Sequence, residues 1–173
     1  MPEAGRIYTL TATLEKPTGP DHSGVWAAIG FTDGVNGTVD SGSFFPDPNN
    51  AGPWMLYRAD QDQIAAFAGP GTAGGSGNLS TYTGTQTLSI VLNTREPEWT
   101  AEWFVGEDSV YTFEYEETNP TISYVGLGRN NGAETNFSAF EVSVFVIPEP
   151  STAGLLVLGL AAAAAALRRR FNR

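Results

Sequence analysis

The strongest constraint on the fold is an alternation of apolar and polar side chains that recurs along most of the chain. In YTLTATL, Tyr8–Leu14, apolar residues occupy every second position and threonines lie between them. A period of two is the pattern of a β-strand with one buried and one exposed face. Further strands are predicted in TQTLSIVLN, WTAEWFV, VYTFEY, ISYVGLG and FSAFEVSVFV, and more deeply buried ones in VWAAIGF and WMLYRAD.

Turn-forming clusters separate these runs, among them DGVNG, PDPNNAGP and RNNGAE. No segment before Ser151 shows a helical apolar stripe. The pattern therefore predicts an all-β domain over residues 1–147, with about eight or nine short strands in a two-sheet jelly-roll sandwich. The glycine-rich segment Gly69–Gly84 lacks the lysine of a phosphate-binding loop, and it is predicted to be a surface loop.

The acidic charge of residues 1–147 argues against a nucleic-acid partner. This part holds five basic residues against eighteen acidic ones, a net charge near −13. So acidic a surface repels phosphate backbones, and no nucleic-acid partner is expected.

The chain has no cysteine and one histidine, His22, so neither a disulfide nor a thiolate or histidine zinc centre is predicted.

An uncharged apolar run, Ser151–Leu167, is followed directly by Arg168, Arg169 and Arg170. Its seventeen residues would form a helix of about 25 Å, just short of the ~30 Å hydrocarbon core. Arginines that extend toward the interface can make up the missing length. We therefore predict one transmembrane helix, with residues 168–173 in the cytoplasm and the acidic domain on the far side of the membrane.

The peptide before this run is predicted to be extended, because Pro148 and Pro150 push the residues before them out of the helical region. With Glu149 between them, they form an accessible peptide at the membrane–water boundary. Such a peptide suits recognition and cleavage by a membrane enzyme. A plain tail anchor, in which the prolines only stop a helix, explains the residues equally well.

The order of motif, apolar run and arginine cluster over residues 148–173 closely resembles the PEP-CTERM sorting signal. The resemblance implies that an exosortase, a membrane transpeptidase of Gram-negative bacteria that make exopolysaccharide, recognises Pro148, Glu149 and Pro150. The chain would be anchored, cleaved near the motif and passed to the cell surface or medium. Such delivery needs a signal peptide, and MPEAGRIYTL has no basic or apolar region of that kind. We therefore expect that the start is misassigned or truncated, or that the secretion signal lies upstream.

The order and texture of the predicted strands are similar to those of concanavalin A-like (laminin G-like) jelly rolls. This resemblance implies either a carbohydrate-binding domain or a polar structural module of a polysaccharide matrix. A sugar site needs aromatic faces and hydrogen-bonding amides, for which the candidates are Trp26, Trp54, Asn130 and Asn131. Core packing is the alternative for these tryptophans, as it is for Trp99 and Trp103.

Calcium is the one cofactor for which the sequence offers ligands. Carboxylate and amide oxygens suit calcium, and the candidate pairs are Asp33 with Asn36, Asp60 with Asp62, and Asp47 with Asn49. None of these pairs follows the twelve-residue EF-hand spacing, and ordinary turn chemistry explains them equally well.

Catalysis is not expected, although laminarinase-type glycoside hydrolases with a similar fold carry an E-x-D-x-E run on one strand. The corresponding segment here is Glu98–Glu102, with Thr100 in place of the middle acid. On a regular strand the two glutamates would be about 13 Å apart, beyond the ~5–9.5 Å between catalytic carboxyl groups. A hydrolase of surface polysaccharide remains the alternative to a binding module.

Overall fold

The described residues of the chain form ten β-strands. The computed structural model describes residues 2–19, 24–33, 51–60, 62–69, 74–75, 77–116 and 118–146, and no helix lies among them. The strands are β1 (Arg6–Leu14), β2 (Trp26–Thr32), β3 (Ala51–Arg58), β4 (Gln63–Phe67), β5 (Gly77–Thr81), β6 (Gln86–Asn93), β7 (Thr100–Val105), β8 (Asp108–Glu114), β9 (Tyr124–Asn130) and β10 (Phe137–Val146).

The strands form two antiparallel sheets of five strands each. The first sheet has the order β10-β1-β6-β7-β8, and the second sheet has the order β5-β4-β3-β2-β9. β1 packs against β2 and β6 against β3, so the sheets lie face to face. The predicted all-β, two-sheet sandwich is confirmed. The predicted transmembrane helix over residues 151–167 lies outside the described residues, among which no helix is long and apolar enough to cross a membrane.

The core lies between the sheets and is built mainly by alternating residues, as predicted. Within Leu10–Leu14 of β1, Leu88–Leu92 of β6 and Ala101–Val105 of β7, every second side chain, starting with the first, points inward and is 5% exposed or less. The second sheet supplies the opposite wall from β2, β3 and β4. The largest fully buried side chains in this core are Leu10, Leu14, Ile29, Phe31, Met55, Tyr57, Ile64, Leu88, Ile90, Leu92 and Trp103.

The prediction of a surface loop over Gly69–Gly84 is wrong for Gly77–Thr81, which form strand β5. β5 pairs with β4, and its Leu79 lies opposite Ile64 and packs against the core. Neither strand shows an apolar alternation in the sequence, and the alanines of β4 are weak strand formers. These strands exist because each pairs with a neighbour in the sheet, a tertiary effect that local pattern does not contain.

Strand β10 defines the two ends of the sandwich. We call the end at which it finishes, at Val146, the proximal end, and the opposite end the distal end. Val146 lies opposite Arg6, and Phe137 at the start of β10 lies opposite Leu14. Beyond β1 the chain bridges to Glu134, in the connection from β9 to β10. The start of β2 and the end of β9 therefore lie at the distal end.

The inner side of β10 is not covered. The register with β1 places Phe140, Val142, Val144 and Val146 on one side, as the alternation predicts, and this is the side of the core residue Leu10. Their exposed fractions are nevertheless 46%, 40%, 45% and 51%. The sandwich thus buries the inner face of β1 but leaves that of its edge neighbour open.

Candidate functional site

Two of the four tryptophans have structural positions in or beside the core. Trp103 is fully buried, and its Nε1–H donates a hydrogen bond of 3.1 Å to the Trp54 carbonyl. Trp99 is half-buried and packs against the same core, while its backbone N–H donates to Asn119 Oδ1 at 2.9 Å. Neither ring is offered to a ligand.

The other two tryptophans lie on the outer face of the second sheet. Trp54 is 4% exposed and belongs to a second apolar cluster, separate from the core, with Trp26 packed at its side. The ring centroids of Trp26 and Trp54 are 5.9 Å apart, and Trp54 stacks on Phe67 at 4.5 Å. Trp54 is thus a packing residue of this face, whereas Trp26 is only half-buried.

Trp26 stands in a row with Asn130 and Arg58, which we call the distal row. In the sheet register Trp26 lies opposite Asn130 of β9 on one side and Arg58 of β3 on the other. Directly opposite residues of antiparallel strands share a face, with Cβ atoms about 4.5–5.5 Å apart. All three are half-buried. An indole ring, an amide and a guanidinium in line can stack on a sugar and hydrogen-bond its hydroxyls.

The turn after β9 forms the rim of this row. Asn131 is exposed and has φ 51°, in the left-handed region that asparagine tolerates. Its Nδ2 donates to the Gly24 carbonyl at 3.3 Å, and Asn130 Nδ2 donates to the same oxygen at 3.0 Å. Of the predicted ligand candidates, Trp26, Trp54 and Asn130 therefore share one face, and Asn131 lies beside it. Arg58 was not indicated by the sequence.

The acidic turn between β3 and β4 also lies at the distal end. Lys16 forms an ion pair with Asp62. Asp60 Oδ1 and Gln63 Oε1 are buried and form no hydrogen bond among the described residues. A cavity of about 520 Å³, lined in part by Lys16 and Asp60, adjoins this turn. Buried acceptors of this kind are normally satisfied by water, an ion or a ligand.

Calcium at the predicted oxygen ligands stays a prediction. Asp33 accepts a hydrogen bond from Ser123 Oγ at 3.1 Å, and its predicted partner Asn36 lies outside the described residues. The ammonium of Lys16 beside Asp62 opposes a second cation there. Within the described part of the chain, no group of three or more histidines, cysteines, aspartates or glutamates is placed to hold a metal ion.

A cleft at the proximal end was not predicted from the sequence. It has a volume of about 720 Å³, and Tyr115 at its wall donates a hydrogen bond of 2.6 Å to the Ala68 carbonyl. At the left-handed Gly74 (φ 59°), a Cβ would lie only 2.9 Å from the Ala68 Cβ, so this wall is closely packed. Its lining combines aromatic rings with carboxylates and polar side chains: Phe113, Glu114, Tyr115, Glu116, Thr118 and Asn119.

Tyr57 and Tyr115 hold their protons more tightly than an ordinary tyrosine. Burial, with a smaller contribution from the charge of Asp62, raises the pKa of Tyr57 to about 12. The Tyr57 hydroxyl donates to the Tyr82 carbonyl at 2.8 Å. Burial, with a smaller contribution from Tyr111, also raises the pKa of Tyr115. Both hydroxyls therefore act as neutral hydrogen-bond donors.

The raised pKa of Tyr57 predicts a loss of stability in alkali. An unfolded tyrosine ionises near pH 10, whereas folded Tyr57 keeps its proton to about pH 12. Between these values the unfolded chain binds fewer protons, so the free energy of unfolding falls as the pH rises. Denaturant titrations across this window should show that fall, with a shallower slope for Tyr57→Phe than for Tyr124→Phe at an exposed control position. Identical slopes for the two variants would contradict the prediction.

The two glutamates considered for catalysis lie on different elements. Glu98 is exposed in the turn before β7, and Glu102 lies within β7. Ser109 Oγ donates a hydrogen bond to Glu102 Oε1. Neither residue lines the proximal cleft or stands in the distal row. The expectation that the domain is not catalytic stays a prediction.

Comparisons with solved structures give distant neighbours that are β-rich. A Trypanosoma rangeli sialidase mutant with trans-sialidase activity is 14% identical, with a TM-score of 0.44; the match covers 80% of this chain and 20% of the sialidase. Sheep galectin-11 in complex with glycerol is 12% identical (TM-score 0.41; 83% of this chain, 99% of the galectin). Chicken galectin 2 is 12% identical (TM-score 0.38; 79% and 89%). The chain thus spans about a fifth of the sialidase.

The sequence comparisons give one match, which begins at the end of β10. Among curated proteins no sequence match was found. The PEP-CTERM protein-sorting motif matches residues 146–170. This range contains the predicted recognition residues Pro148, Glu149 and Pro150 and the cluster Arg168–Arg170, all of which lie outside the described residues. The chain therefore carries a PEP-CTERM sorting motif, and that motif begins at Val146, the last residue of β10.

Proposed function

We propose that this chain is an envelope protein that an exosortase-type membrane enzyme sorts to the cell surface, and that its β-sandwich binds carbohydrate there without catalysis. The PEP-CTERM motif over residues 146–170 carries the sorting part of the proposal. Pro148, Glu149 and Pro150 are recognised outside the membrane. Residues 151–167 span the membrane until cleavage, and Arg168–Arg170 stay on the cytoplasmic side.

The position of the distal row supports the proposal that the β-sandwich binds carbohydrate. The row lies at the end of the sandwich opposite Val146, where the sorting motif begins. A domain held at its proximal end therefore presents Trp26, Asn130 and Arg58 away from the membrane. These side chains combine a ring for stacking with donors for sugar hydroxyls, which is the chemistry a glycan requires. The buried acceptors of Asp60 and Gln63 lie at the same end and can accept hydrogen bonds from sugar hydroxyls.

Removal of the Trp26 ring is expected to weaken glycan binding by about tenfold or more, since aromatic anchors dominate most binding energies. The full chain in detergent would be titrated with the host exopolysaccharide and a glycan panel, in calcium and in chelator, and the products checked for turnover. Trp99→Ala, a half-buried tryptophan at the proximal end, is the matched control.

Three results of this titration would count against the proposal. Equal affinity of Trp26→Ala and the unaltered chain would remove the distal row as the site. Loss of binding on Phe113→Ala alone would place the ligand in the proximal cleft. Turnover abolished by Glu98→Gln or Glu102→Gln would replace the binding module with a hydrolase. Export of the chain in cells with and without an exosortase-type enzyme tests the sorting part, and a shortened chain is expected only where the enzyme is present.

A further inference from the structure

The large apolar side chains that are exposed in the described part of the chain gather at one edge of the sandwich. All of them lie on β9 and β10. β10 lies beyond β1 and β9 lies beyond β2, and β1 packs on β2, so both edge strands are on the same side. Their exposed fractions are 52% at Tyr124, 36% at Val125, 46% at Phe140, 40% at Val142, 45% at Val144, 60% at Phe145 and 51% at Val146. Soluble surfaces rarely leave such an edge uncovered.

The short chain between β10 and the apolar run limits the distance between this edge and the membrane. Val146 is still paired with Arg6, and only residues 147–150 separate it from the apolar run that begins at Ser151. The chain from Val146 to Ser151 reaches at most about 18 Å when fully extended, and the headgroup layer itself is about 5–8 Å thick. A chain whose apolar run lies in the bilayer therefore holds the end of β10 within about 13 Å of the headgroups. The start of β9 lies at the same end, since residues 131–136 join the two strands at the distal end.

The charge distribution favours contact between this edge and lipid. β9 and β10 together carry one basic and one acidic residue, Arg129 and Glu141, whereas residues 1–147 as a whole have a net charge near −13. Anionic headgroups repel an acidic surface but do not repel a neutral edge. Tyr124 adds an aromatic ring with a polar tip, a side chain enriched at membrane interfaces.

We propose that the proximal part of this edge (Tyr124, Val125, Val144, Phe145 and Val146) rests on the lipid surface while the sorting motif is in the bilayer. This inference rests on the proposed function, because it requires the apolar run to insert. In this arrangement the bilayer covers the exposed proximal part of β9 and β10, and the distal row points away from the membrane.

A pair of exposed serines on β10 allows a matched test in a chain that has no native cysteine. Ser143→Cys lies beside the proposed contact, and Ser138→Cys lies about 16 Å away along the same strand. Each variant would be labelled with an environment-sensitive fluorophore and the full chain reconstituted into vesicles of phosphatidylcholine and phosphatidylglycerol. We expect a lipid-borne quencher to reduce emission at Ser143→Cys several-fold more than at Ser138→Cys. The additional changes Val144→Ser and Phe145→Ser should abolish that difference.

A third label, at Ala161→Cys within the apolar run, separates this inference from the function on which it rests. If that label is not quenched, the run does not insert and the sorting proposal fails. If it is quenched while the labels on β10 respond equally, the lipid contact is overturned and the sorting proposal stands. A blue shift at Ser143→Cys that grows with protein concentration but shows no lipid quenching would overturn the contact in favour of a second copy of this chain.

Discussion

Replacement of Trp103 by alanine is expected to lower the free energy of unfolding by about 3–5 kcal/mol. Trp103 is fully buried in the middle of the core, between the two sheets. Its loss removes a large apolar side chain, leaves a cavity and leaves the Trp54 carbonyl without its indole donor. Since domains of this size are stable by about 5–15 kcal/mol, this one change removes a large share of the total.

Urea unfolding followed by circular dichroism measures the effect of this substitution. Trp103→Phe keeps most of the volume but not the Nε1–H donor, so it separates the packing loss from the hydrogen bond. Thr112→Ala, at an exposed position of β8, is the control and should change the free energy by about 0.5 kcal/mol or less. A loss below about 1 kcal/mol for Trp103→Ala, typical of a surface site, would show that Trp103 is not a core residue.

The double substitution Pro148→Ala and Pro150→Ala is expected to abolish the shortened form of the chain in cells that contain an exosortase-type enzyme. The prolines are predicted to keep residues 147–150 extended. With alanines there, a helix over the apolar run can continue toward β10 and hide the peptide backbone from the enzyme. Glu149→Gln tests the carboxylate separately, because it keeps both prolines and removes one charge.

The control for this effect is Gly159→Ala within the apolar run, which leaves the recognition residues unchanged and keeps the run apolar. It should be processed as the unaltered chain is. Normal shortening of the double proline variant, measured by immunoblot of envelope fractions, would mean that residues 148–150 are not recognised. The segment would then act as a plain anchor, the alternative that the sequence leaves open.

The fold was predictable wherever strand pattern and burial agree. β1, β6 and β7 alternate cleanly, and their inward residues are the ones that the structure buries. β4 and β5 were missed because their small residues carry no alternation, and pairing with neighbouring strands decides their conformation. For β10 the alternation indicates which residues share a side. It does not indicate that this side stays exposed.

The candidate sites bring together residues that are far apart in the sequence, and no local sequence pattern predicts such contacts. Trp26, Arg58 and Asn130 become neighbours only through the order of β9, β2 and β3 in the second sheet. Arg58, a lone basic residue in an apolar strand, gave no signal of its own. The proximal cleft joins Ala68 to residues 113–121, which in the sequence look like an ordinary half-exposed strand and its loop. By contrast, the PEP-CTERM motif is continuous in sequence and was predictable for that reason.

Intact mass spectrometry of the mature protein tests the proposed sorting most directly. The exported full chain would be purified from the envelope and from the medium of cells with and without an exosortase-type enzyme. In cells with the enzyme we expect a mass that lacks Arg168–Arg173 and the apolar run, with a new C-terminus near Pro148–Pro150, and in cells without it the full C-terminal segment. Arg168–Arg173 still attached in both fractions of cells with the enzyme would contradict cleavage and sorting.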